Sequence, residues 1–161
     1  MANKSRITKF SPNSLKRILN FYPPYLCSGI KVESISADWK ELQVSMRLFW
    51  LNRNAVGTHF GGSLYSMIDP HVMLLLMQLL GSEYVVWDQS ARIEFVKASK
   101  KKVRCVIRIA DQIIEEIKRN TQGGEKYLAN FDLEIRDEDG VLVARAEKVI
   151  YVRKKSPLPD G

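Results

Sequence analysis

From Val72 to Leu80 the chain reads VMLLLMQLL, nine residues of which one is polar. A helix on the outside of a domain shows a single apolar stripe, but Leu64, Met67, Ile68, Val72, Met73, Leu74, Leu75, Leu76 and Met77 point in nearly every direction. Such a helix has to be wrapped on most of its sides. The apolar run is also far short of the roughly twenty residues that a bilayer span requires. We therefore read it as the core helix of a soluble domain, with no membrane span.

The rest of the chain can supply the wrapping layer. Leu42 to Leu48 alternates apolar and polar residues, as in a strand with one buried face, and a break near Ala37-Asp38 separates it from an earlier strand beginning at Ile30. YVVWDQS, ARIEFVKAS and KVRCVIRIA are rich in β-branched and aromatic residues and read as three further strands. Asp111 is the expected N-cap of a helix over QIIEEIKRN, which Gly123-Gly124 stop. KYLANFDLEIR and VLVARAEKVIYVR flank DEDG, a turn in which Gly140 can take positive φ. Near the start, Leu15, Ile18, Leu19 and Tyr22 form one stripe of a short helix that Pro23-Pro24 should end. The sum is an α+β fold: six or seven mostly antiparallel strands curled around one long helical segment, Val56 to Leu80. With 161 residues, 45% hydrophobic and 27% charged, one domain suffices. We expect a helical extension over 1–29, a domain over 30–155 and a frayed tail over 156–161.

Cys27 and Cys105 lie far apart and form no redox or metal spacing, which suits a reducing compartment. The first thirty-two residues contain no acid but also no continuous apolar signal segment, so a cytoplasmic location is expected. The net charge of +7 favours an anionic partner. Lys97, Lys100, Lys101, Lys102 and Arg104 cluster around one strand turn, and Arg153, Lys154 and Lys155 follow near the end. These basic residues are either a solvated face or a seat for phosphates or an acidic carrier protein. No aromatic platform is interleaved with them, so nucleic acid is not the expected partner.

The stretch before the core helix carries the chemistry. Asn54-x-x-Gly57-x-x-Phe60-Gly61-Gly62, with Asp69 eight positions after Gly61, resembles the active-site signature of hotdog-fold thioesterases of the phenylacetate-pathway type. With YVVWDQSARIEF and the closing ARAEKVIYVR, it resembles more specifically the DUF4442 branch of that superfamily. The resemblance implies a hotdog fold, hydrolysis of an acyl-CoA or acyl-carrier thioester, and a homodimer or dimer of dimers that completes its sites between subunits. It implies no cofactor and no metal. By the same resemblance Asp69 would act as base on water or as nucleophile, Gly61 would polarise the thioester carbonyl, and Asn54 would hold water or orient the carbonyl. Gly62, Phe60, His59, Asp88 and Ser90 would contact substrate or the attacking water. The sequence departs from its relatives at one position: they commonly place histidine immediately before the glycine pair. Phe60 stands there, with His59 one residue earlier and aimed elsewhere.

Plainer readings compete with these roles. Asp69-Pro70 is also the pattern of an N-cap followed by proline at the first helical position. The glycine pair could be only a tight turn, and Asn54 only a turn residue. His71 follows Asp69 by two positions, on another side of the helix, and makes no H-E-x-x-H spacing. A hotdog module that binds acyl-CoA or lipid without turnover is the alternative function, and a basic adaptor for RNA or anionic membrane ranks behind it.

Overall fold

The computed structural model describes residues 10–155; the expected tail over 156–161 lies outside them, as do the first nine residues. Ser11 opens the first helix, α1 (Pro12–Asn20), by accepting the Ser14 amide on its hydroxyl at 3.2 Å. Pro12 follows at the first helical position, where a missing N–H costs nothing. Leu15 and Leu19 are buried, while Ile18 remains exposed. Pro23-Pro24 do more than end α1. They start a second helix, α2 (Pro23–Ser28), for the same reason that Pro12 starts the first. Gly29 closes α2 at φ 66°, and a Cβ there would lie 2.6 Å from the Phe49 ring.

β1 (Ile30–Ile35) and β2 (Glu41–Met46) pair antiparallel across the break near Ala37-Asp38. The core segment differs from the single helix expected over Val56 to Leu80. Residues 51–60 are loop, followed by α3 (Gly61–Ser66), a turn over 67–70 and α4 (His71–Leu80). Pro70 accounts for the break, since it lacks the N–H that would return to residue 66. Together Gly61–Leu80 is long and apolar enough to cross a bilayer by length and composition alone. However, 56% of its most apolar window is buried inside the fold, as in a core helix.

YVVWDQS and ARIEFVKAS are not two strands but one, β3 (Tyr84–Phe95), with a bulge between Asp88 and Ser90. β4 (Val103–Arg108) leads to α5 (Asp111–Asn120). Here Asp111 is not the cap. Ala110 holds the cap position, and Asp111 sits in the first turn, where its charge complements the helix dipole and pairs with Lys40 at 2.7 Å. β5 (Lys126–Asp137) and β6 (Leu142–Lys154) flank the turn at Gly140, whose φ is 80°.

The six strands form one antiparallel sheet in the order β1-β2-β4-β5-β6-β3. Alternate residues of β5 and β6, among them Ala129, Leu133, Ile135, Ile150 and Val152, are buried together with Val72, Leu75 and Leu76 of α4. Each such large side chain contributes about 1.5–3 kcal/mol by leaving water. The two sheet edges are treated differently. On β1, the Asn20 amide donates to the Val32 carbonyl at 3.0 Å and its oxygen accepts the Val32 N–H at 2.7 Å, while Lys16 Nζ donates to the Glu33 carbonyl at 2.6 Å. Side chains therefore occupy that edge. β3, at the other end, pairs only with β6 and carries mostly exposed residues.

One side chain ties the loop before α3 to both of its neighbours. Asn52 is 1% exposed, and its Nδ2 donates to the carbonyls of Ser28 and Arg47, both at 2.7 Å. Its Oδ1 accepts the Phe49 N–H at 2.9 Å, and its carbonyl accepts the Phe60 N–H at 2.8 Å. Asn52→Ala leaves three buried backbone groups unpaired, so it should destabilise the chain by about 2–3 kcal/mol, read as a lowered urea midpoint at unchanged m-value.

Candidate active site

The helix break places Asp69 between two helices, and the structure shows what holds it there. Lys148, on β6, is fully buried on the inner face of the sheet. Its ammonium donates to the Asp69 carbonyl and lies 3.3 Å from Asp69 Oδ1 and 2.6 Å from Asp88 Oδ1. A buried ammonium is costly unless paired and hydrogen-bonded. Here two carboxylates and a carbonyl freed by the helix break satisfy it. The Tyr65 ring centroid is 5.8 Å from the same nitrogen, and burial, with the Asp69 carboxylate beside it, raises the phenol's pKa.

Asp69 makes no cap for α4, which starts from Pro70 without any side-chain cap hydrogen bond. Its side chain is 44% exposed, whereas that of its partner is sealed at 0%. The result is a carboxylate anchored from behind and open in front. Asp88 lies opposite Ile150, on the inner face with Lys148, and burial raises its carboxyl pKa against the pull of that ammonium. Two residues on, Ser90 pairs with Val149 and sits on the outer face, because the bulge reverses the alternation between them. The structure thus brings Asp69 and Asp88 together and sets Ser90 apart.

Gly61 and Gly62 open α3. The first intrahelical bond, Ser63 N–H to the Phe60 carbonyl at 3.0 Å, comes after both of them, so their amides have no partner within the helix. A Cβ at Gly61 would stand 2.8 Å from the Phe95 ring, and one at Gly62 would stand 2.5 Å from the Phe60 ring. Both rings are exposed, so two aromatic side chains flank the glycine pair. Asn54 turns inward on its own loop: Nδ2 donates to Thr58 Oγ1 and to the His59 carbonyl, and Oδ1 accepts the amides of Val56 and Thr58. His59 is 4% exposed, with Nε2 2.8 Å from the Lys101 carbonyl, and burial lowers its pKa.

Sequence reasoning missed Lys148. A lysine at an inward position of an otherwise apolar strand, Val143-Ala144-x-Ala146-x-Lys148-x-Ile150, was the available signal: inward positions on a buried face are rarely charged without a partner. His71, read in the sequence without a metal-ligand spacing, packs in the core. It is fully buried, its Nε2 lies 3.2 Å from the Tyr25 hydroxyl, and among the described residues no group of His, Cys, Asp and Glu could hold a metal.

The six-stranded antiparallel sheet and broken core helix define a hotdog fold, one shared with solved thioesterase structures. The protein of unknown function PA5026 from Pseudomonas aeruginosa, described as a probable thioesterase, superposes with a TM-score of 0.79 at 18% identity, covering 89% of this chain and 96% of that one. Thioesterase HI1161 from Haemophilus influenzae gives 0.66 at 13% identity, covering 94% and 96%. A mutant of thioesterase PA1618 from P. aeruginosa gives 0.66 at 14%, covering 91% and 96%. Comparison with curated proteins finds no match. The chain belongs to the family described as a domain of unknown function, DUF4442, whose model matches residues 12–152.

Burial, and then the Lys148 charge, push the His71 imidazole down from 6.5 to about 3. The unfolded chain therefore takes up this proton first as pH falls. The stability the ring contributes is complete above about 6.5 and is lost as pH drops through the folded value near 3. Asp88, raised by burial, has the opposite sign, so comparing His71→Gln with the parent chain isolates the ring. Urea midpoints taken from pH 7 down to pH 4 should fall less steeply in His71→Gln.

Proposed function

We propose that this protein hydrolyses an acyl thioester, on coenzyme A or on a carrier protein, with Asp69 as general base. The observation that carries the proposal is an open carboxylate, eight positions after the glycine that opens α3, held by a buried ammonium. Asp69 takes a proton from water, and the water oxygen attacks the thioester carbon. The Gly61 and Gly62 amides, at the positive end of α3, donate to the oxyanion that forms. Collapse of this intermediate breaks the C–S bond, and the departing thiolate takes the proton held by Asp69, giving free thiol and carboxylic acid and restoring the carboxylate. Lys148 fixes the direction in which Asp69 points. Asn54 and His59 act one step back, by shaping the loop that delivers Gly61.

Two copies of the chain complete the site. The open β3 edge supports this reading, because the β1 edge is occupied by Asn20 and Lys16 while twelve residues of β3 offer a free ladder. Sedimentation equilibrium should report a dimer, and a monomer at assay concentrations would overturn this part.

A second reading, binding without turnover, is favoured by Phe60 in the place of histidine and by the Phe95 ring against Gly61. Free-thiol release measured beside equilibrium binding separates the two readings. On a panel of acyl-CoAs, Asp69→Asn should lower kcat/KM by about a hundredfold or more. Lys148→Met should fold and should lower kcat by about a hundredfold through misplacement of Asp69. Undiminished hydrolysis in Asp69→Asn removes the base; binding by the parent chain with no thiol release favours the second reading.

A further inference from the structure

Away from Asp69, a cavity of about 390 Å³ lies where the α1–α2 segment meets the outer surface of β1 and β2. Its charges do not balance. Among the described residues Glu33 is the only acid in the lining; Lys31 Nζ is 2.8 Å from one of its oxygens, and Lys102 Nζ and Ser45 Oγ are 3.1 and 2.7 Å from the other. These donors hold the carboxyl at about 2, so it stays ionised and fully engaged at neutral pH. The cavity also contains Arg47, whose guanidinium makes no ion pair among the described residues and lies 5.7 Å from the Phe49 ring centroid. Three cations against one carboxylate leave an excess of two positive charges.

The base of Arg47 is fixed: its N–H donates to the Gly29 carbonyl at 3.3 Å, and its own carbonyl accepts from buried Asn52. A guanidinium with a free fork on a rigid base matches a phosphate or carboxylate in two parallel hydrogen bonds. The volume lies within the range of small-molecule sites, about 300–1,000 Å³, and exceeds what a single ion fills. Leu26, half exposed, with buried Ile30 beneath the lining, gives the remaining wall an apolar character. By contrast, the Arg136 guanidinium pairs with Glu134 at 2.6 Å.

We propose that this cavity is a binding site for a phosphate-bearing small molecule, with Arg47 gripping the phosphoryl oxygens beside Lys31 and Lys102, and the rest of the ligand lying on Leu26 and Ile30. The site stands independently of Asp69 and of thioester hydrolysis. One possible source is the nucleotide end of the proposed substrate; the other is an unrelated phosphate ester. Asn52 links the two regions, since it bonds both Arg47 and the Phe60 amide at the entrance to α3.

Isothermal titration of the full chain with inorganic phosphate, adenosine 3′,5′-bisphosphate and coenzyme A at low ionic strength tests this. The expected result is binding of the bisphosphate that weakens about tenfold in Arg47→Gln, weakens less in Arg47→Lys, and is unchanged in Arg153→Gln, a control on the outer face of β6. Thermal midpoints of all three variants should match the parent chain, since the Arg47 head group holds no other element. Equal binding of bisphosphate and coenzyme A assigns the site to the coenzyme's nucleotide; Arg47-dependent binding of inorganic phosphate alone supports the site and assigns it to a smaller ester. The proposal is overturned if no probe binds the parent chain at millimolar concentration, or if Arg47→Gln and Arg153→Gln weaken binding equally.

Discussion

A single buried ammonium organises the centre of this molecule. Lys148 sits among the apolar inward residues of β6, and the helix break brings Asp69 to one side of its ammonium while the β3 bulge leaves Asp88 on the other. The dependence is mutual. Without Pro70 the helix would consume the Asp69 carbonyl in its own ladder, and without the lysine that carbonyl would lose its hydrogen-bond donor. A buried ion pair is weak evidence for stability, and what the structure shows here is where its members are held.

The surroundings give that geometry a direction. Asp69 is covered behind and open in front, and eight residues earlier the chain enters α3 through a glycine pair whose amides precede the first helical bond. The entry is set by side chains that touch neither of these features: Asn54 knots its loop, His59 anchors the loop to the Lys101 carbonyl, and Asn52 ties it to α2 and to the end of β2. Asn54 and His59 both hold the loop that leads into the glycine pair. The two sheet edges complete the picture, with β1 covered by side chains of α1 and β3 left free to pair.

Much of this was legible in the sequence, for identifiable reasons. The all-round apolar composition of the core helix demanded a wrapping sheet, and the alternation in β2, β5 and β6 supplied it. The pairing of Asp69 with a glycine-opened helix was visible because the spacing is local. Other features were not. Tyr84–Phe95 read as two strands because a bulge interrupts alternation just as a turn does. Asp111 read as a cap because its residue type suits either the cap or the first turn. Pro23-Pro24 read as a stop although proline both ends one helix and begins the next.

What the sequence determined by itself was whatever depends on neighbours along the chain: periodicity, turn residues, and the break at Pro70 that follows from a missing N–H. The tertiary structure alone decided which charges meet. Lys148 lies 79 positions from Asp69, and the two are joined only when β6 is laid beside the broken helix. Electrostatic pairing depends on distance in space, and residues far apart in the chain come close only once the sheet order is fixed. The same holds for Arg47, whose want of an ion pair among the described residues becomes visible only after Lys31 and Lys102 have converged on Glu33.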